Sequence, residues 1–513
     1  MLLQVILAVI PIVWLIVSMT VFKMSGFNAC GIGLIITAVE CLAIYGMSVM
    51  EVVTGTVEGV CAAVWPIGII MFGAMFVYNL SLRTGAMDVI KNMLASVSND
   101  KRVAAILLGW CFGNFMEGIA GFGTAVAIPA AMMVGMGFDP IAAAVICLIG
   151  NAASPAFGAI GTPTISAANT AGLDATILSG PTSLLLGGLC ILSPFVIILL
   201  VGKSTKAFKG VMGITIASVV SFYVPFYAIS AFVGPELSVT IGALISLVVV
   251  IFMGRSSKAD IPEEYLLEKK EEGTGAAVSA PQMSAVKAWI PYVLIVIFIL
   301  GSSKLVPPIN TALGSIKSTI TFYSGEGAAA VSFAWINTPG VWMFIAGIIG
   351  ALIQGASVGD LGAEFVATIK KYWKAVVTVV FIVSIAKLMG YAGMVIALAN
   401  GLVALTGGFY PIIAPLIGGI GCFVTGSATS ACVMFAKLQF EIANQLGIDP
   451  YWLVAANSAG ATAGKMISPQ SIAMAAAAIS VTGSDGKIMS ATIKWCALYI
   501  VIVCVCCYVG AIL

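Results

Sequence analysis

Between Gly113 and Pro163 the chain reads GNFMEGIAGFGTAVAIPAAMMVGMGFDPIAAAVICLIGNAASPAFGAIGTP, an apolar stretch broken by glycines, prolines, an asparagine and a glutamate. A plain membrane-spanning helix needs about 20 predominantly apolar residues in a row, and this stretch is interrupted where such a helix would not be. The same punctuation returns between Gly421 and Pro469: Asn151, Gly158 and Pro163 have counterparts Asn457, Gly464 and Pro469, each 306 positions later. Interrupted hydrophobic segments in corresponding halves of a chain point to the binding site of a membrane carrier.

Composition puts these stretches in a membrane. Of 513 residues 61% are apolar and 9% charged, against roughly 45–50% and roughly 25% in soluble domains, and mean hydropathy is +1.13. A net charge of +2 gives no basis for nucleic-acid binding. The chain has no histidine, so the commonest metal ligand and the usual neutral-pH proton carrier are missing, and proton coupling would have to use carboxylates. The twelve cysteines lie mostly in apolar runs, Cys504, Cys506 and Cys507 in the last of them, and read as small apolar side chains. No metal or cofactor is expected. The N-terminal MLLQVILAVIPIVWLIVSMTVFK has no basic residue ahead of its apolar run and no small-x-small cleavage site, and reads as a first span.

Spans fit at 3–22, 27–46, 60–80, 179–202, 210–232, 237–254, 288–303, 340–357, 375–391 and 495–513. Residues 255–287, rich in charge, Gly, Ser and Pro, read as a mobile cytoplasmic linker. The halves on either side look related: at an offset of 308, Trp65 falls on Trp373, Gly85 on Gly393, Asn92 on Asn400 and Gly118 on Gly426, and Asp139-Pro140 falls on Asp449-Pro450 at 310. Region 103–137 is too long for one helix and too short for two spans. Arms of roughly 15 residues reach about 22 Å, against about 30 Å of hydrocarbon, so a re-entrant hairpin with its tip near 118–123 is predicted. That leaves an odd number of crossings before the two connecting spans and makes the repeat inverted. Charge bias agrees. With both termini outside, Arg83, Lys91, Lys101, Arg102, Lys203, Lys370, Lys371 and Lys23 all fall inside, while loops 47–55, 166–178, 233–236 and 392–410 hold no lysine or arginine. The longer loop 304–338 sits outside despite Lys304 and Lys317.

The expected fold is therefore an all-α polytopic membrane protein of two inverted repeats, each with a re-entrant hairpin and a broken helix. The first repeat covers 1–202, with hairpin 103–137 and broken span 140–165. Two connecting spans fill 203–254, the linker 255–287, and the second repeat 288–513, with hairpin 410–446 and broken span 451–475.

Broken helices can hold a small anion in mid-membrane, because free N-terminal amides and aligned dipoles attract negative charge. The tip GIAGFG (118–123) exposes such amides, Gly121 and Gly123 among them, ahead of Thr124. The tip TGSATSA (425–431) adds hydroxyls from Thr425, Ser427, Thr429 and Ser430. Asn151, Thr162 and Thr164 line one break, and Asn457, Ser468 and Gln470 the other. Small and hydroxylated residues are also ordinary packing glue between membrane helices. Charges inside apolar runs are costly and point to function. Burial favours the protonated form of a carboxyl, which makes Glu117 the proton-carrier candidate, with a tip-stabilising carboxylate as the alternative. Lys465 is either the cation for a substrate carboxylate or a salt-bridge partner. Glu40 and Lys387 read equally as a mutual structural pair or as functional groups, and Lys437 with Glu441 as an i,i+4 pair.

The runs EGIAGFGTAVAI (117–128), GMGFDPIAAAVICLIGNAASPAFGAIGTP (135–163) and LGIDPYWLVAANSAGATAGKMISPQSIA (446–473) resemble the lactate permease family, bacterial carriers of lactate and related 2-hydroxy monocarboxylates. The likeness extends over most of the chain. It implies two inverted repeats with re-entrant hairpins and a moving transport domain, and symport of a monocarboxylate anion with a proton. Glu117 resembles the family's glutamate ahead of GxxGFG, and Lys465 and Gln470 the lysine and glutamine of GKMISPQS. In the second tip the family reads closer to TGSDTSSN, where this chain has TGSATSAC, with Ala428 at the acidic position.

The expected function is secondary active transport across the bacterial plasma (inner) membrane: proton symport of lactate or a related monocarboxylate such as glycolate. Glu117 would carry the proton, and Gly121, Gly123, Thr124, Asn151, Thr162, Ser427, Ser430, Asn457, Lys465 and Gln470 would bind the anion. Its partners would be that anion, a proton and the bilayer, with a homodimer as an open assembly. The rivals are a sodium-coupled carboxylate carrier and, in other classes, a channel or an integral membrane enzyme. For the enzyme the sequence offers no metal-ligand cluster and no Ser–base arrangement.

Overall fold

The structure is a computed structural model that describes the chain except residues 1, 23, 122, 257–260, 268–282, 304, 329, 480, 482–483 and 513. Lys23 and Lys304, used above for orientation, and most of the linker therefore lie outside the described residues. Among those described, eight helices are long and apolar enough to cross a membrane, or ten if two bent pairs each count as one span.

Most expected spans are helices, with revised limits. The span placed at 60–80 is one limb of a run from Val49 to Arg83, broken at Trp65-Pro66. The span placed at 375–391 is the end of a 34-residue helix, Val358–Tyr391. A two-stranded antiparallel hairpin, β1 (Lys317–Thr321) with β2 (Ala330–Ala334), occupies the long loop before Pro339. The sequence reading had no strand there. It packs on the break in the Val49–Arg83 run: the Trp65 indole donates to the Ala334 carbonyl at 3.0 Å, and the Trp65 and Trp335 rings lie 5.2 Å apart.

Several helix ends in the two halves share their chemistry. Gly85 and Gly393 both take left-handed backbone at φ 75°, each opening a short helix, Ala86–Ala95 and Met394–Thr406. Asp139 and Asp449 both cap a helix that begins with proline: Asp139 accepts from the Ala142 amide at 2.8 Å and Asp449 from the Tyr451 amide at 3.0 Å. Such caps satisfy amides that have no partner inside the helix, and proline suits the first helical position. The same close crossing also recurs. A Cβ on Gly150 would strike the Gly109 carbonyl, and one on Gly460 the Pro415 carbonyl, so each broken span lies backbone to backbone against the first arm of its hairpin. Small residues permit this approach between membrane helices.

Each hairpin has a short arm. The first runs from Lys101 through a π-helical segment to Ile119, turns, and returns as Thr124–Gly135; twelve residues reach about 18 Å. The second pairs Tyr410–Thr425 with Ala428–Leu446, and its sixteen-residue arm reaches about 24 Å. The first broken span comprises Pro140–Asn151 and, bent by 63°, a segment that ends at Ala171, not 165. The second comprises Pro450–Lys465 and Pro469–Ala478. Both hairpins pack against their broken spans, and the helix ending at Ala171 packs against Ala428–Leu446, which joins the halves.

At the base of the first hairpin the buried Arg102 acts as a clasp. It donates to both Asp100 oxygens, at 2.7 and 3.0 Å, and to the Ala207 and Lys209 carbonyls at 3.0 and 2.9 Å. The Tyr265 ring lies 4.2 Å from its guanidinium carbon. The linker is thus docked at Ile261–Leu267, where Leu267 donates to the Asn99 carbonyl at 2.9 Å. Removing one partner of a buried ion pair costs about 3–5 kcal/mol. Purified Arg102→Ala should therefore unfold in detergent at a clearly lower Tm than the parent protein; an unchanged Tm would show that the clasp contributes nothing.

Candidate functional site

The two hairpin tips and the two breaks meet around a cavity of about 60 Å³ lined by Glu117, Gly121, Gly123, Gly158, Ser427, Lys465, Gln470 and Met474, with Pro155, Ala159, Pro163, Gly426, Ala428 and Thr429. Glu117 stands near the end of the helix Gly113–Ile119, buried. Its Oε1 accepts from Lys465 Nζ at 2.7 Å and its Oε2 from Asn151 Nδ2 at 3.0 Å. Lys465 is the last residue of Pro450–Lys465, where the helix dipole favours a cation. The pair spans the two halves of the chain, 348 residues apart.

Four helices begin at the cavity wall. Thr124–Gly135 starts behind Gly123, Ala428–Leu446 behind its cap Ser427, and Pro469–Ala478 presents Gln470 in its first turn. The fourth is the helix that ends at Ala171, which becomes regular after Ala159, Ile160 and Gly161, three consecutive residues at φ 44°, 55° and 74°. Left-handed backbone at Ala and Ile is strained, and strain of this kind collects at functional sites. The walls thus offer amide-rich helix ends, one ammonium and one carboxylate. That set suits a small anion whose charge can be exchanged against a protein carboxylate.

Of the residues expected to form the site, Glu117, Gly121, Gly123, Ser427, Lys465 and Gln470 line the cavity, and Asn151 stands behind it on Glu117. The others do not line it. Thr124 donates to the Gly121 carbonyl at 2.7 Å, closing the tip turn, and Thr162 donates to the Ala159 carbonyl within the break. Ser430 uses its amide to donate to Ser427 Oγ at 3.2 Å. Asn457 is fully buried beneath Tyr410–Thr425, and neither amide atom has a hydrogen-bond partner among the described residues. A pairing of Lys387 with Glu40 is corrected: Lys387 Nζ lies 2.7 Å from Glu58 Oε1. Lys437 and Glu441 do pair, at 3.0 Å.

Sequence reading missed Met474, although it lies four residues after Gln470 on one helix and so on the same face. Gly158 had been noted only as a repeat marker. A Cβ there would strike Glu117 Oε1, so glycine is what lets the carboxylate reach Lys465. Gly158→Ala should displace Glu117 and lower transport at least about tenfold, an effect of about 1.4 kcal/mol. Parent-like transport by a correctly inserted Gly158→Ala would show that the pair needs no such space.

A multi-pass chain whose paired hairpins and broken helices converge on a buried ion pair is built as a membrane transporter. It shares its fold with MtrF of Neisseria gonorrhoeae, described as illuminating a class of antimetabolite efflux pumps, at a TM-score of 0.51 and 12% identity over 96% of each chain. The sequence profile described as L-lactate permease matches residues 4–513. An L-lactate permease of Streptococcus iniae is 42% identical over 88% of this chain and 93% of its own. The glycolate permease GlcA of Escherichia coli is 30% identical over 96% and 93%. The chain belongs to the L-lactate permease family.

Proposed function

We propose that this protein is a secondary transporter that carries lactate or a related 2-hydroxy monocarboxylate such as glycolate together with a proton. The observation behind this reading is the 2.7 Å contact between Lys465 Nζ and Glu117 Oε1 inside the cavity formed by the tips and breaks. A substrate carboxylate that takes Lys465 leaves Glu117 buried without a cation, which costs several kcal/mol unless the carboxyl gains a proton. Anion and proton therefore bind together. The empty site holds one ammonium and one carboxylate; the loaded site holds the ammonium, the substrate carboxylate and a neutral Glu117. Both are neutral, so both forms can pass the low-dielectric interior. Net transport is electroneutral and takes nothing from the roughly 2.3 kcal/mol per charge that 100 mV supplies.

Relatives named for L-lactate and for glycolate support the substrate class. Basic residues gathered at one set of loops support both termini outside and an inverted relation of the halves. Counterflow of labelled L-lactate in proteoliposomes, competed in turn by D-lactate, glycolate and pyruvate, tests the substrate. Absence of saturable counterflow would refute carrier action on lactate, and a requirement for sodium would replace the proton as coupling ion.

A further inference from the structure

A second, larger cavity of about 660 Å³ lies between Val358–Tyr391 and Ala428–Leu446. One side is Trp65 with Lys387 and Tyr391 of Val358–Tyr391; the other is Asn169–Gly172 at the end of the first broken span, with Lys437 and Glu441 of Ala428–Leu446. The β1–β2 connection, including the exposed Glu326, edges it. The two cavities share a seam, because the helix ending at Ala171 and the helix Ala428–Leu446 pack together and both border both. From Thr429 in the small cavity to Lys437 in the large one is eight residues, about 12 Å along the helix.

The charges in the large cavity are not balanced alike. Lys437 and Glu441 both face it and neutralise each other at 3.0 Å. Lys387 faces it, but its partner does not: Glu58 is fully buried, outside the lining, and also accepts from the Tyr391 hydroxyl at 2.9 and 2.8 Å. The cavity thus meets an ammonium whose counter-charge is hidden behind it. An ammonium has three N–H donors, and the Glu58 contact at 2.7 Å occupies one. We propose that the large cavity is an approach chamber in which Lys387 takes the substrate carboxylate before it passes along the seam to Lys465. Glu58 and Tyr391 are positioning residues that pin Lys387. This assignment rests on the carboxylate-carrier reading above.

The test is counterflow of labelled L-lactate by three variants in proteoliposomes. Lys387→Gln should raise the half-saturating concentration about tenfold, the effect of one lost ionic contact. The double variant Glu58→Gln with Lys387→Gln, which leaves no lone buried charge, should show the same rise. Glu58→Gln alone frees Lys387 for the anion and should lower that concentration. If all three single and double variants shift it in one direction, or the double variant matches the parent protein, the pair is only structural and the proposal falls. Lack of counterflow in the parent protein would instead overturn the substrate reading itself.

Discussion

Glu117→Gln should abolish lactate uptake driven by a pH gradient while leaving exchange of external for internal lactate. The amide cannot carry a proton across, yet it is neutral, so the variant is held in the charge state of the loaded site. Lys465, no longer matched by a carboxylate 2.7 Å away, is then free for the substrate at every pH. The sign of the pH effect follows. Under the proposed coupling, a proton taken up by Glu117 would release Lys465, so lactate should bind more tightly as pH falls. If each lactate binds with one proton, apparent affinity should fall about tenfold per unit rise in pH. In Glu117→Gln that slope should vanish. Binding across a pH series, beside uptake driven by an imposed gradient, measures both. A slope that survives the substitution would place the coupling proton on another group.

Much of this architecture could be read from the chain, because membrane helices announce themselves by length and apolarity, and breaks by proline, glycine and capping aspartate. The range 410–446, expected to hold the second hairpin, holds the helices Tyr410–Thr425 and Ala428–Leu446. What the sequence concealed are contacts between its halves. Nothing in the residues around Glu117 says that its cation lies 348 positions away. Hydroxyls were the weakest guide: Thr124, Thr162 and Thr425 all bond to nearby backbone, as such side chains commonly do. Glu58 was lost through a helix boundary. A span started at residue 60 leaves it in a loop, whereas the helix begins at Val49 and buries it, so only Glu40 offered itself as a partner for Lys387.

Lys465→Ala should weaken lactate binding by at least about thirtyfold, since truncating one member of a buried charged contact costs about 2–5 kcal/mol. It also removes the only ammonium lining the small cavity among the described residues. The helix ends that remain attract an anion more weakly, by about 0.3–1 kcal/mol each when exposed. The variant has a second defect, because Glu117 stays buried with Asn151 as its remaining partner, and purified Lys465→Ala should melt below the parent protein. Adding Glu117→Gln separates the two effects. The double variant carries no lone charge and should recover its Tm, but it should not recover lactate binding, because the cation is still missing. Stabilisation of the detergent-solubilised proteins by added lactate, read as a shift in Tm, reports both quantities in one titration. If the double variant regained the parent's lactate affinity, Lys465 would serve only to neutralise Glu117, and the anion would be held by the amides of the tips and breaks alone.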